Sequence, residues 1–265
     1  MRIAQITDMH VGGADVAAYY RLDTRAALNT AVDQINALEP RPDVCLVTGD
    51  IVESATPQEY ALARALLQRL AVPWYAIPGN HDERGGFRRA FAGTATPHGD
   101  GEFVQYVIDD FPLRIVALDS VVARRTHGEL CAERLAWLDR TLSAAPARPT
   151  VIMLHHPPFA THQPAIDAMC LTQPELLAVV IQRHRQVEAI ISGHVHRAIH
   201  SRVAHAQASS CPSTAHQMAL ALGRQATIGF THEPAGFQLH LWDRPGSWTT
   251  HTVQTGEFAG PFAFH

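Results

Sequence analysis

The chain has 265 residues, of which 46% are hydrophobic and 17% charged. That balance fits a globular protein with one large core and excludes a disordered chain. Its net charge is −4, with no Lys/Arg block, so the long-range field that draws proteins to extended nucleic acid or to acidic membranes is absent.

No apolar run approaches the roughly 18–20 residues needed to span a bilayer. The start, MRIAQITDMH, lacks the apolar core of a signal peptide. The four cysteines (Cys45, Cys131, Cys170 and Cys211) are scattered and form no CxxC. That spacing argues against a thiolate zinc site or a disulfide framework, and makes the cytoplasm the expected compartment. Histidine is over-used: there are 17, many beside Gly, Asp or another His. Imidazole is the commonest protein metal ligand.

In chain order, Arg2–Thr7 reads as a first strand. Thr24–Leu38 carries a helical stripe of Ala27, Leu28, Ala31, Val32, Ile35 and Leu38, ended by EPRPD. DVCLVTGD (43–50) is a buried strand, Pro57–Leu70 an amphipathic helix, and VPWYAIPGNHD a third strand stopping at Pro78-Gly79. Strand alternating with helix predicts an α/β layer with parallel strands. Phe103–Ile108 and Leu113–Leu118 read as a hairpin, Cys131–Leu142 as a helix, TVIMLHH as a strand, Pro174–His184 as a helix and VEAIISGHVH as a strand. Beyond His196 the helical stripes stop. Short β-like runs follow at 198–204, 207–211, 226–231, 236–241 and 248–253, and are expected to form a mostly antiparallel second sheet. The chain divides into a domain over 1–241 and a Gly/Pro/aromatic extension over 242–265.

Five strands end in groups able to bind a metal: Asp8 and His10; Asp50; Asn80, His81 and Asp82; His155 and His156; His194 and His196. In open α/β sheets, sites form beyond the carboxyl ends of the strands. Each cluster alone reads as ordinary turn chemistry or a surface histidine; their succession points to one shared site. Oxygen and imidazole donors without Cys suit Mn, Fe, Co or Zn. So many candidates exceed one four-coordinate ion and suit two that share a carboxylate, an arrangement used for attack on phosphorus. The glycines before Asp50, Asn80 and His194 are expected to supply tight turns. Asp82 is expected to support its turn.

DxH, GD, GNHD, a later strand-end His and GHxH, in this order, resemble the signature of the calcineurin-like metallophosphoesterases, from Asp8 to His196. Within that superfamily, ITDMH, LDS (118–120), MLHHPPF and SGHVH are similar to the class III cyclic-nucleotide phosphodiesterases and bacterial glycerophosphodiesterases. The resemblance implies an α/β fold: a four-layer α/β/β/α sandwich of two mixed sheets flanked by helices. It also implies two divalent ions, with Mn or Fe favoured. Asp8, His10 and His196 would hold one, Asn80, His155 and His194 the other, and Asp50 would bridge them. A metal-activated hydroxide would attack the phosphorus of a small diester. His81 would contact a phosphate oxygen or the leaving group, with Asn80, His156 and His216 as further substrate contacts. For His216, an exposed loop position is the competing reading. Arg84, Arg88 and Arg89 read as a solvated helix face, and the lack of an arginine clamp tilts toward diesters. A phosphomonoesterase or nuclease of the same superfamily is the alternative, and a non-catalytic scaffold the remote one. A homodimer or larger homo-oligomer is expected, with Phe258, Phe262 and Phe264 as its contacts.

Overall fold

The computed structural model describes residues 1–97, 99, 101–223 and 227–264. Its strands are β1 (Arg2–Ile6), β2 (Val44–Thr48), β3 (Trp74–Ile77), β4 (Tyr106–Ile108), β5 (Arg114–Ala117), β6 (Thr150–Met153), β7 (Val187–Ser192), β8 (Ile199–Val203), β9 (Ala206–Ser210), β10 (Gln217–Met218), β11 (Phe230–Thr231), β12 (Gly236–Leu241) and β13 (Thr249–Gln254). Its helices are α1 (Ala14–Tyr20), α2 (Thr24–Ala37), α3 (Pro57–Leu67), α4 (Arg84–Phe91), α5 (Ala132–Ser143), α6 (Pro164–Asp167) and α7 (Pro174–Arg183). Local chemistry sets the starts. Asp23 accepts from the Arg25 and Ala26 amides to open α2. Thr56 and Glu59 form a capping box around Pro57 at the head of α3.

Two mixed sheets carry the molecule, in the orders β13-β12-β1-β2-β3 and β4-β5-β6-β7-β9-β8. The side-chain period of two shows how they layer. In the second sheet Ile115, Ala117, Val151, Met153, Ala189 and Ile191 join the cluster that holds β1–β3 and the apolar faces of α2, α3 and α4. Their alternates Val116, Ile152 and Ile190 join the cluster with Leu138 and Leu142 of α5 and Leu177, Val180 and Ile181 of α7. The order is therefore helices, sheet, sheet, helices, as the motifs implied.

The late strands do not form one second sheet of their own, contrary to the sequence expectation; among the described residues only the short β10 and β11 pair apart from the two large sheets, antiparallel. β12 pairs antiparallel with β1, and β13 with β12, extending the first sheet. β9 runs parallel to β7 and carries β8 at the edge of the second. The second sheet is instead begun by β5, β6 and β7 of the α/β half. All residues of β2, β3, β5 and β6 are buried. Strands covered on both faces show no alternation, so the sequence holds no sign of which sheet each joins. The expected hairpin is present as antiparallel β4 and β5. Of the expected run 226–231, Ala226 lies outside the described residues and Phe230–Thr231 form β11.

A buried polar seam crosses between the sheets. Gln5 on β1 donates to Thr48 Oγ1 on β2 at 2.8 Å and to the Ser192 carbonyl ending β7 at 2.9 Å. Gln238 on β12 donates to the Ser210 carbonyl at 3.0 Å and accepts from Ser209 Oγ at 3.2 Å. Buried polar groups are tolerated when paired in this way, and these pairs fix how the two sheets meet. Among the described residues no helix is long and apolar enough to cross a membrane.

Phe237 on β12 is fully buried in the larger cluster. Replacing it with Ala should cost about 3–5 kcal/mol of stability, read as a lowered urea midpoint at unchanged slope.

Candidate metal centre

All seven sequence-predicted ligands lie just beyond strand ends, at the junction of the two sheets. Asp8 and His10 follow β1, Asp50 follows β2, Asn80 follows β3, His155 follows β6, and His194 and His196 follow β7. Every one but Asn80 is buried. Five adopt left-handed backbone: Asp8 (φ 50°), His10 (43°), Asp50 (48°), His194 (71°) and His196 (47°). Residues with a Cβ rarely occupy this region, and each instance costs about 1–3 kcal/mol. The strain turns successive side chains out of the sheets and into one cleft.

The glycines beside them act partly otherwise than the sequence suggests. Gly49 does supply a turn, at φ 94°. Gly79 and Gly193 are not left-handed. A Cβ on Gly193 would lie 1.9 Å from Thr7 Oγ1 and 2.7 Å from Asp8 Oδ2, and one on Gly79 would lie 2.2 Å from Asp50 Oδ1. They are glycine because ligands from other strands press against their backbones.

Two clusters share Asp50. In the first, His10 Nε2 and His196 Nε2 face each other at 3.2 Å, with Asp8 Oδ1 3.4 Å from His196 Nε2 and Asp50 Oδ2 3.8 Å from His10 Nε2. In the second, His155 Nε2 lies 3.1 Å from Asn80 Oδ1 and 3.4 Å from Asp50 Oδ2. The His194 ring stands 5.1 Å from that of His155. His194 and His196 thus fall into different clusters, and Val195 between them is fully buried among apolar neighbours.

Hydrogen bonds behind the rings fix their tautomers. His155 Nδ1–H donates to the Thr48 carbonyl at 2.8 Å, His196 Nδ1–H to the His216 carbonyl at 3.0 Å, and His10 Nδ1–H to Glu53 Oε2 at 2.7 Å. With Nδ1 engaged behind them, His10 and His196 turn Nε2 toward each other and toward carboxylate oxygens, and His155 turns Nε2 toward Asp50 and Asn80. Acceptors facing acceptors need a cation between them. Asp8 Oδ1 and His194 Nε2 are buried without a hydrogen-bond partner, which is costly unless an ion is bound. The donor set therefore fits divalent metal.

The electrostatics follow. Burial, which raises the Asp8 carboxyl, is outweighed by His196 and His155, and the group is held at about 2. Asp50 is driven well down against its own burial by His155 and His81. Burial would lower His155, but Asp50 pushes it up to about 9. Burial and His155 take His194 down to about 3. Asp82 is pushed up to about 7 by burial and by Asp50. It accepts from the Ile51 and Gly79 amides and from the Tyr60 hydroxyl, so it braces two ligand turns, as expected.

The second-choice residues separate. His81 is partly exposed; its amide donates to Asp50 Oδ1 at 2.8 Å and its Nδ1–H to the Glu53 carbonyl at 2.9 Å. Its Nε2 has no partner among the described residues. His216 is 4% exposed, which excludes the exposed-loop reading; it stacks on Tyr20 at 4.0 Å. His156 is fully buried. Its Nδ1 accepts from Ser120 Oγ at 2.8 Å and its Nε2 donates to the Thr126 carbonyl at 3.2 Å. Arg84 is not on a solvated face: it pairs with buried Asp119 at 2.6 Å and bonds the Val121 carbonyl. Arg88 bonds the carbonyls of Gly101 and Glu102. Sequence reasoning missed Glu53, which lies in no recognisable motif although it is three residues past Asp50; Tyr20 lies in GGADVAAYYR (12–21), a segment expected to wall the pocket.

Residues 1–198 match the family model of the calcineurin-like phosphoesterases. The chain belongs to this family. It is 35% identical to a probable glycerophosphodiester phosphodiesterase, GpdQ, of Arcobacter nitrofigilis, over 100% of this chain and 97% of that one. It is 29% identical to a 3′,5′-cyclic-nucleotide phosphodiesterase of Nostoc sp., over 94% and 90%. Its fold is similar to that of a dimetal phosphatase from Danio rerio, with a TM-score of 0.66 at 16% identity, covering 97% and 99%.

Gly193→Ala should force Thr7 and Asp8 aside. The expected result is a loss of about 1–3 kcal/mol by urea denaturation, together with weaker metal uptake in equilibrium dialysis.

Proposed function

We propose that this calcineurin-like phosphoesterase is a two-metal phosphodiesterase for small diesters: 3′,5′-cyclic nucleotides, glycerophosphodiesters or related alkyl and aryl diesters. The convergence of His10, His196 and His155 Nε2 on one another and on Asp50 carries the reading. Asp8, His10 and His196 would hold one ion, Asn80, His155 and His194 the other, with Asp50 between. Oxygen and imidazole donors favour Mn or Fe among Mn, Fe, Co and Zn. Bound there, such ions lower the pKa of a water, hold phosphate oxygens and offset charge on the leaving group.

The chain's own groups do the rest. Asp50 stays ionised because His155 and His81 outweigh its burial. Asn80 and His81, held on one turn by Asp82 and Asp50, orient the phosphate. Asp50 and Glu53 raise His81 against its burial, so its free Nε2 side can give a proton to a phosphate oxygen or a departing alkoxide. His216 and Tyr20 form one wall. His156, with both nitrogens engaged, supports His155 and His194 from behind. The arginines of α4 are turned to Asp119, to carbonyls and to Glu83, so they form no clamp for a dianionic monoester. The low net charge disfavours nucleic acid. The four free cysteines support a cytoplasmic setting.

The test is the rate of the Mn-loaded protein on cyclic AMP, a glycerophosphodiester and a phosphomonoester, side by side. Diester turnover should dominate, disappear on chelation and return with Mn. Asp50→Ala and Asn80→Ala should each lower it by at least about 100-fold with the circular dichroism spectrum unchanged. Retained turnover in these variants would reject the assignment.

A homo-oligomer is supported by the tail, where Phe258, Phe262 and Phe264 are exposed. Exposed aromatics of this kind mark contact surfaces. Removing residues 257–265 should lower the sedimentation coefficient to that of a monomer; an unchanged coefficient would place the contacts elsewhere.

A further inference from the structure

The imidazoles at the centre are not backed alike. His155 and His196 donate to main-chain carbonyls, which are neutral and fixed by the backbone. His10 donates to a carboxylate, Glu53 Oε2, at 2.7 Å. Glu53 is pinned on several sides. Its amide donates to the Val11 carbonyl, beside the parallel bridge of Val11 and Val52. Its own carbonyl accepts from His81, and Oε2 accepts a second bond from the Tyr20 hydroxyl at 3.1 Å. The carboxylate side chain is 20% exposed, so water screens it only in part.

We propose that Glu53 is a positioning residue that makes the two metal positions unequal, strengthening the one built on Asp8, His10 and His196. This rests on the two-metal reading above. An anion behind an imidazole keeps its proton on Nδ1, aims Nε2 at the ion and raises the basicity of that nitrogen. Such outer partners are worth about 10–100-fold in metal affinity. The position built on Asn80, His155 and His194 has no equivalent: the described partner behind His155 is the Thr48 carbonyl, and Asn80 is a neutral ligand. Tyr20 extends the device to the substrate side. Its hydroxyl holds Oε2 while its ring lies flat on His216 at 4.0 Å and 18°.

Glu53 Oε2 is also close enough to His10 and His81 for the three to hold an ion of their own. The hydrogen bonds speak against that. Both imidazoles direct Nδ1–H toward Glu53, one to its carboxylate and one to its carbonyl, and leave no lone pair on that side.

Two substitutions test the proposal. Glu53→Gln keeps an acceptor for His10 and Tyr20 but removes the charge, and Tyr20→Phe keeps the stack on His216 but removes the second bond to Oε2. Metal-stripped wild type titrated with Mn²⁺ by calorimetry should bind two equivalents of distinct affinity. Glu53→Gln should weaken the tighter class by about 10–100-fold and leave the weaker class near its wild-type value. Tyr20→Phe should move the tighter class in the same direction by less, and it stands alone should Glu53→Gln fail to fold. Raising Mn should restore turnover in both variants, which general damage to the fold would not permit. Equal weakening of both classes, or no change in either, overturns the proposal. A third equivalent in wild type that Glu53→Gln loses would make Glu53 a ligand and overturn it too. A wild type that takes up no Mn would defeat the two-metal reading itself.

Discussion

Four imidazoles, two carboxylates and an amide oxygen meet at the junction of the sheets with too few protons placed to satisfy them all. This confrontation of acceptors is the constraint that the rest of the site is built to maintain. It is unfavourable in the free protein, because each group loses water and gains a neighbour of the same polarity. A divalent cation reverses the sign of each of those interactions at once. Five ligands in left-handed backbone add roughly 1–3 kcal/mol of strain apiece, a sum comparable with the whole stability of a domain, roughly 5–15 kcal/mol. Such a site persists only because the sheets around it are over-determined by packing, and ion binding returns part of the cost through linkage.

The two sheets are needed for geometric reasons. Asp8, Asp50 and Asn80 come from the first, and His155, His194 and His196 from the second. Each cluster draws on both. The seam through Gln5, Thr48, Ser192 and Gln238 therefore does more than satisfy buried polar groups. The Thr48 carbonyl receives His155 Nδ1–H, so a strand of one sheet sets the tautomer of a ligand carried by the other. The His194 amide donates to Asp8 Oδ2 at 2.8 Å and does the same in reverse. Gly193 belongs to this contact. Its missing side chain is the space in which Thr7 and Asp8 sit.

The gathering of these seven residues in one place was legible in the sequence because each lies where a buried strand breaks into a polar turn, often beside a glycine. Strand ends, unlike strand pairings, are marked by local chemistry. The sheet assignment was not legible, since β2, β3, β5 and β6 are buried on both faces and their alternation is erased. Short late strands such as β9 and β12 look alike in sequence, yet one joins each sheet. The partners behind the ligands were hidden for another reason. Glu53 and Tyr20 meet His10 only through the fold; a glutamate after a turn and a tyrosine ending a short helix carry no pattern of their own. His156 is the converse case: its place beside His155 suggests access to substrate, while its ring nitrogens engage Ser120 and Thr126.

SGHVH shows how far strand periodicity can be trusted at a site. Read as a strand, its two histidines share a face and would grip one ion. The strand, however, ends at Ser192, and both histidines take left-handed backbone. Alternation no longer governs where the rings go. His196 meets His10, His194 meets His155, and Val195 packs with Ile166 and Cys170. One pentapeptide thus sends an imidazole into each of the two clusters. Because both nitrogens hang on the same short turn, neither can shift without moving the other. In the two-metal reading, the spacing of the ions would be tied to the backbone of a single loop, while the groups behind each ring would set how strongly each is held.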